Sequence, residues 1–304
     1  MVASESRVEA MFEPAGADPA FAAAQTRLFG LAYRMLGSRA EAEDVVQDVY
    51  IRWHQSDHEA IENPEAWLVA TATRRSIDRL RRLKAEREAY QGPWLPEPLM
   101  RNALPSPERD LELSSDLSIA FMVLLERLAP EERAAFLLHE VFDADYRHIA
   151  TVLQKSEATC RQIVHRARER VQRDRKRFAT TEADRIGLLR KFTAAAEARD
   201  EAAVLQLFAS DATWTADGGG RVHASPRPIV GARLIAKLVV GLMTRVYRNR
   251  ATLHLVEVNG EAGLCLRVDG NVRLVLSVET DGTRILRVWV VVNPDKLSSV
   301  QHVH

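Results

Sequence analysis

Cysteine is almost missing from this chain: Cys160 and Cys265 are the two in 304 residues, far apart and with no CxxC or Cys/His pair at ligand spacing. That argues against a disulfide scaffold and against a zinc site, and it fits a reducing, cytoplasmic setting. Net charge is missing as well, because 42 Lys and Arg balance 42 Asp and Glu. The balance excludes a uniformly basic coat but leaves local patches open. Long apolar runs are absent; none approaches the roughly 18 residues needed to span a bilayer. Met1 to Ala10 alternates charged and small residues where a signal peptide would carry an apolar core, so a soluble protein that is not exported is expected.

Glycine is scarce in the front of the chain. Between Ser38 and Glu182 only Gly92 occurs, whereas ten of the fourteen glycines lie from Gly187 onward. The front therefore reads as helical and the back as mixed helix and strand. Five of the twelve prolines (Pro93, Pro96, Pro98, Pro105 and Pro107) crowd one stretch that no helix or sheet interior would tolerate, which marks an extended linker over residues 90–109. The chain thus divides into a helical unit at 19–89, a second helical unit at 110–178 and a C-terminal unit at 182–297. In the last, Ile186, Leu189 and Phe192, then Val204, Leu205 and Phe208, suit two amphipathic helices. Strand-like runs at 251–258, 263–268, 272–280 and 284–292 follow, separated by Asn259-Gly260, Asp269-Gly270 and Asp281-Gly282; they predict an antiparallel meander and an α+β class. No internal repeat is visible.

The neutral total hides polarised segments. Residues 41–65 carry eight acids against Arg52 alone, residues 67–88 carry seven bases against three acids, and residues 155–178 carry nine bases against three acids. In the first segment Val45, Val46, Val49 and Trp53 recur at helical spacing, leaving Glu41, Asp44 and Asp48 as an acidic stripe, either solvated or partner-binding. In the second, Arg75, Arg79 and Arg82 form a cationic stripe accompanied by Thr71, Thr73 and Ser76, small hydroxyls that approach a nucleic-acid backbone or a splayed base closely. A solvated cationic helix explains the same composition.

The most specific local pattern spans residues 146–171. Ile149, Ala150 and Leu153 suit the inner side of a short helix, Gln154-Lys155-Ser156 a turn ending in an N-cap, and Cys160, Ile163, Val164, Ala167 and Val171 the inner side of a second helix. Thr159, Arg161, Gln162, His165, Arg166 and Arg168 are left outside. This is the form of a helix-turn-helix whose second helix presents major-groove donors, with a basic αα-hairpin as the plain alternative. Cys160 falls on the buried side.

In this order the segments resemble a bacterial RNA polymerase sigma factor of the extracytoplasmic-function class. Ala42-Glu43-Asp44-Val45-Val46-Gln47-Asp48-Val49-Tyr50 is similar to that family's helix for the clamp of the polymerase largest subunit, which the resemblance assigns to Glu43, Asp44, Gln47 and Asp48. Trp67 to Arg82 is similar to the element that opens and reads the minus-ten region, implying roles for Thr71, Thr73, Arg74, Arg75, Ser76, Arg79 and Arg82. Tyr146 to Val171 resembles the minus-thirty-five reader. Trp94-Leu95-Pro96-Glu97-Pro98-Leu99, Asp217-Gly218-Gly219-Gly220-Arg221 and Asn293-Pro294-Asp295-Lys296-Leu297 match hallmark segments of the subgroup with a fused SnoaL-like domain. Arg221 departs from the usual lysine, and residues 1–18 find no counterpart.

The resemblance implies a multi-domain chain, two all-α sigma domains followed by an α+β SnoaL-like or NTF2-like cone, with core RNA polymerase and promoter DNA as partners. It also implies regulation in cis by contact of the C-terminal domain with the linker and sigma domains. The interface would use Trp94, Leu95, Pro96, Glu97, Asp217, Gly218, Gly219, Gly220, Arg221, Asn293, Pro294, Asp295 and Lys296. No cofactor, metal or enzymatic activity is expected. A carboxylate pocket drawing on Trp214, Asp217, His223, Trp289 and Asp295, and a small-molecule ligand in the cone, are the minor readings. The alternative function is a ligand-responsive helix-turn-helix regulator that does not join polymerase.

Overall fold

The computed structural model describes residues 18–101, 117–174, 180–247 and 250–301. Residues 102–116 and 175–179, with Pro105, Pro107 and the edges expected for the second helical unit, lie outside them. The chain opens with α1 (Pro19–Leu36), α2 (Arg39–His54) and α3 (Pro64–Glu88). Asp18 and Asn63 cap the first and third, accepting from main-chain N–H groups of the first turn, and a proline opens each. After strand β1 (Met100–Arg101) come α4 (Ile119–Leu125), α5 (Pro130–Glu140), α6 (Tyr146–Leu153) and α7 (Glu157–Asp174). One apolar core runs through all seven helices, from Leu28, Leu31 and Val49 to Leu137, Ile149 and Val164. The first two units are therefore packed on one another in this arrangement.

The C-terminal unit begins with α8 (Glu182–Ala198) and α9 (Glu201–Leu207), where the two amphipathic patterns fall. Next come β2 (Phe208–Asp217), β3 (Ile229–Val230) and α10 (Ala232–Gly241), then β4 (Ala251–Val258), β5 (Glu261–Val268), β6 (Asn271–Thr280) and β7 (Ile285–Val291). The short helix α11 (Pro294–Leu297) follows, and the chain packs on past it to Val300. The strands form one sheet in the order β1-β4-β5-β6-β7-β2-β3. The meander β4 to β7 is antiparallel as the turn signals predict, and Asn259 and Asp269 take the left-handed backbone their tight turns require.

Beyond the meander, β2 joins parallel to β7, so the chain leaves β2 by way of α10 before the sheet closes on it. The far edge is β1, contributed by the linker: Met100 pairs with Val258 and Arg101 with Glu257. The described part of the linker thus ends as an edge strand, covering a row of backbone groups. Both faces of the sheet are buried. α8, α9 and α10 cover one, around Phe192, Trp214, Leu264 and Val288. Leu95, Met100, Ile119 of α4, Leu297 and Val300 cover the other, around Cys265, Val275 and Trp289.

Candidate functional site

The linker is fastened to the C-terminal unit by a buried clasp built around Asp217, the last residue of β2. Its carboxylate is wholly buried. It accepts from the Tyr90 hydroxyl at 2.5 Å, the Leu95 main-chain N–H at 2.8 Å, the Gly219 N–H at 3.1 Å and the Lys296 ammonium at 2.7 Å. Lys296 also donates to the Leu95 carbonyl. Its Nζ sits 4.1 Å from the centre of the Trp94 ring, whose other cationic neighbour is the Arg87 guanidinium at 3.4 Å. Burial pulls the Lys296 ammonium down to about 8 against the opposing pull of Asp217, and burial together with Asp217 raises the Tyr90 phenol. Asn293 caps α11 and donates to the Tyr90 hydroxyl at 2.9 Å.

Two glycines make the close approaches possible. A Cβ on Gly37 would lie 2.6 Å from the Trp94 ring, and Gly37 ends α1 at φ 67°; a Cβ on Gly219 would strike the Asn293 amide, at φ 60°. Glu97, buried, ties the linker to the first helical unit and to the end of the C-terminal unit: its carboxylate accepts from Ser38 Oγ at 3.1 Å and Arg39 N–H at 2.9 Å on one side and from Ser299 Oγ at 2.9 Å on the other. Of the segments expected at this interface, Trp94 to Glu97, Asp217, Gly219, Asn293 and Lys296 are thus brought together. Arg221 and Asp295 form an exposed ion pair at 3.2 Å on its rim. Gly218 and Gly220 continue the turn, and Gly220 faces Gln91.

Sequence reasoning missed Tyr90, Arg87, Tyr33 and Asn259. In the sequence Asn259 is marked only as a turn residue before Gly260. Its amide donates to the Tyr33 hydroxyl at 2.7 Å and the Leu117 carbonyl at 3.1 Å, and it accepts from Leu99 N–H at 3.0 Å. Tyr33, wholly buried, donates in turn to the Glu97 carbonyl at 2.6 Å. No local pattern announces such a junction, because its partners are 64 to 226 residues away from one another in sequence.

On α2, Asp44, Gln47 and Asp48 are exposed, joined by the 44% exposed Ile51, while Glu43 pairs with Arg39 at 2.7 Å. Glu41 is withdrawn from the stripe by Arg79 of α3, which bonds it with both prongs. On α3, Arg75 and Arg82 make no ion pair among the described residues, and Arg74 donates to the Thr151 and Val152 carbonyls at the end of α6. The hydroxyl expectation needs correction. Thr73 and Ser76 are wholly buried in the helical core, and Thr71 and Thr73 spend their hydroxyls on the Trp67 and Val69 carbonyls one turn back.

The helix-turn-helix forms without a glycine, because Gln154 itself takes the left-handed conformation at φ 55°. Ser156 Oγ accepts from Thr159 N–H at 3.1 Å as an N-cap. Cys160, Ile163, Val164 and Ala167 are buried, and Thr159, Arg161, Gln162, His165 and Arg166 are exposed. Arg168 is half-buried against Glu140, and Arg161 pairs with Glu157 at 3.0 Å. The carboxylate pocket is not assembled: Trp214 and Trp289 lie on opposite sheet faces, His223 and Asp295 are exposed, and Asp217 is spent in the clasp.

Residues 20–86 match the Sigma-70 region 2 model and residues 118–171 the Sigma-70 region 4 model. The ECF RNA polymerase sigma factor SigJ of Mycobacterium tuberculosis is 33% identical over 91% of this chain and 92% of its own length. The chain belongs to the extracytoplasmic-function RNA polymerase sigma factors. The crystal structure of SigJ superposes with a TM-score of 0.71 at 32% identity, covering 91% of this chain and 96% of that one. A probable ECF sigma factor of the same organism, SigI, is 26% identical over 93% of this chain and 95% of its own. This sigma factor directs transcription initiation with RNA polymerase, and its C-terminal unit is SnoaL-like. A regulator that does not join polymerase is not favoured. Among the described residues no helix is long and apolar enough to cross a membrane.

Proposed function

We propose that this sigma factor is regulated in cis, its SnoaL-like unit gripping the linker that joins regions 2 and 4. The working units are residues 19–89, 110–178 and 182–297, with 90–109 as the linker. The observation that carries the reading is the Asp217 carboxylate, buried among donors from the linker (Tyr90 and Leu95) and from its own unit (Lys296). A buried charge satisfied across two units is costly to separate, so the clasp fixes where the linker, and hence region 4, lies relative to region 2. The C-terminal unit acts as a regulatory body without turnover. Glu43, Asp44, Gln47 and Asp48 meet core polymerase, Arg75 and Arg82 track minus-ten DNA, and Thr159, Arg161, Gln162, His165 and Arg166 read the minus-thirty-five element, with Arg168 bracing that helix. Arg74 and Arg79 join the minus-ten contacts once released from Thr151, Val152 and Glu41.

Transcription in vitro with core polymerase, comparing the full chain, its Asp217→Ala variant and a chain ending before Glu182, tests the reading. Altered promoter-dependent output in the two altered chains is expected. Identical output from all three would remove the regulatory role, and no output from any would remove promoter recognition itself.

A further inference from the structure

We infer that α10 of the SnoaL-like unit is a docking face for α2 of a second copy of this chain, so that self-association covers the acidic stripe. From Gly218 to Val256 the sequence holds no Asp or Glu against seven Lys and Arg. In a chain of zero net charge that is a surface of one sign. Arg221 and Arg250 are spent on Asp295 and Asp269. Arg233 and Lys237, by contrast, are exposed on α10 and make no ion pair among the described residues. They stand one helical turn apart, with Leu234 beside them and Val230 just before the helix. Asp211 of β2 borders the start of α10, where the Gly231 N–H bonds the Ala212 carbonyl, yet pairs with neither cation.

The complementary surface is on α2. Asp44, Gln47, Asp48 and Ile51 are exposed at i, i+3, i+4 and i+7, which sets them on one face. Asp48 makes no ion pair among the described residues, and Asp44 meets only the part-exposed Arg79, at 3.7 Å. Each helix therefore shows two like charges one turn apart beside an exposed apolar side chain, with opposite signs on the two helices. Among the described residues, three of the five large apolar side chains left in water lie in these patches: Val230 at 56%, Leu234 at 57% and Ile51 at 44% exposed. A duplex could neutralise Arg233 and Lys237, but phosphates give Val230 and Leu234 nothing to bury against. An acid-flanked apolar ridge answers both needs.

The two patches of one chain do not meet. α10 covers the sheet face opposite to the one packed by Leu95, Ile119 and Leu297. α2 starts on the linker side, where the Arg39 N–H bonds Glu97. A second copy must therefore supply the partner, and zero net charge leaves no long-range repulsion between copies to overcome. All four charged groups are exposed, so salt weakens the contact. Competition with polymerase rests on the docking role proposed above for Asp44 and Asp48; the contact between copies does not.

Sedimentation velocity of the full chain, without polymerase, tests this. The weight-average mass should rise above 34.1 kDa with concentration at low salt and return to it at high salt. Arg233→Glu with Lys237→Glu, and separately Asp44→Lys with Asp48→Lys, should each weaken association about tenfold or more, because like charges then face each other. Mixing the two reversed chains should restore it, since each then meets the opposite sign on the other. Melting temperatures equal to wild type establish that both variants fold. Wild-type chains that stay single at low salt, a mixture that stays single, or unchanged association in either variant would overturn the inference. Single chains that retain a random duplex, and lose it on Arg233→Glu with Lys237→Glu, would assign the face to nucleic acid instead. At low salt the Arg233→Glu, Lys237→Glu chain should also be retained by core polymerase more than wild type, its α2 being uncovered; equal retention would overturn the masking. An Asp44→Lys, Asp48→Lys chain that still binds polymerase would strike the docking reading alone.

Discussion

The ammonium of Lys296 lies 2.7 Å from the carboxylate of Asp217, 79 positions earlier in the chain, and the linker carbonyl of Leu95 accepts from the same ammonium. Three segments meet at that pair. Replacing Asp217 by Ala leaves Lys296, Tyr90 and the Leu95 N–H without their common acceptor. The expected loss is about 3–5 kcal/mol of stability, seen as a lower melting temperature and faster proteolysis of the linker. Lys296→Met, which keeps the stem against Trp94, should cost less.

The pair also sets a pH dependence. Lys296 is lowered from its ordinary value to about 8 in the folded chain. Between that value and its higher unfolded value the unfolded chain holds more protons, so this group's contribution is full above the unfolded pKa and is lost as pH falls through about 8. Tyr90, raised by burial, contributes oppositely only above its ordinary range. Melting curves from pH 7.5 to 9.5 should therefore show the wild type gaining on Lys296→Met; parallel curves would contradict the assignment.

Asp44 and Asp48 are exposed on α2; Asp44 lies 3.7 Å from the part-exposed Arg79, and Asp48 makes no ion pair among the described residues. Changing both to Lys should abolish retention by core polymerase in a pull-down and shift stability by less than about 0.5 kcal/mol. Retained binding would reject the acidic helix as the docking surface.

Arg166 is exposed and makes no ion pair among the described residues, whereas Arg168 is committed to Glu140. Arg166→Ala should cost about 1–3 kcal/mol on the cognate promoter and much less on a scrambled duplex if it reads a base edge. An equal loss on both would reassign it to phosphate. Arg168→Ala should act mainly on stability.

Tyr33→Phe removes one hydroxyl from the Asn259 junction. It deprives Asn259 of an acceptor and the Glu97 carbonyl of a donor, and about 1–2 kcal/mol of stability should go. A melting temperature equal to wild type would show that water replaces the hydroxyl.

How much of this was legible in the chain depended on range. Val45, Val46 and Val49, or Ile163, Val164 and Ala167, reveal their helices and their buried faces because a turn of helix repeats within the window being read. Asn259-Gly260 and Asp269-Gly270 reveal the hairpins because a tight turn needs positive φ at fixed positions. β2 beside β7 stayed hidden, since a parallel neighbour distant in sequence leaves no local turn to announce it. Thr73 and Ser76 misled because composition offers hydroxyls without saying which way the helix is rotated against its neighbours.

By itself, then, the sequence determined the helices, the hairpins, the outward set on the recognition helix and the family, all properties of short windows or of motif order. Only the tertiary structure decided that Asp217 closes on Tyr90, Leu95 and Lys296, that Asn259 joins Tyr33 to Leu117, and that Arg74 is held by the end of α6. Those pairings are chosen by burial: a carboxylate or hydroxyl removed from water must find whichever donor the packed chain brings within 3 Å, and sequence separation has no part in that choice.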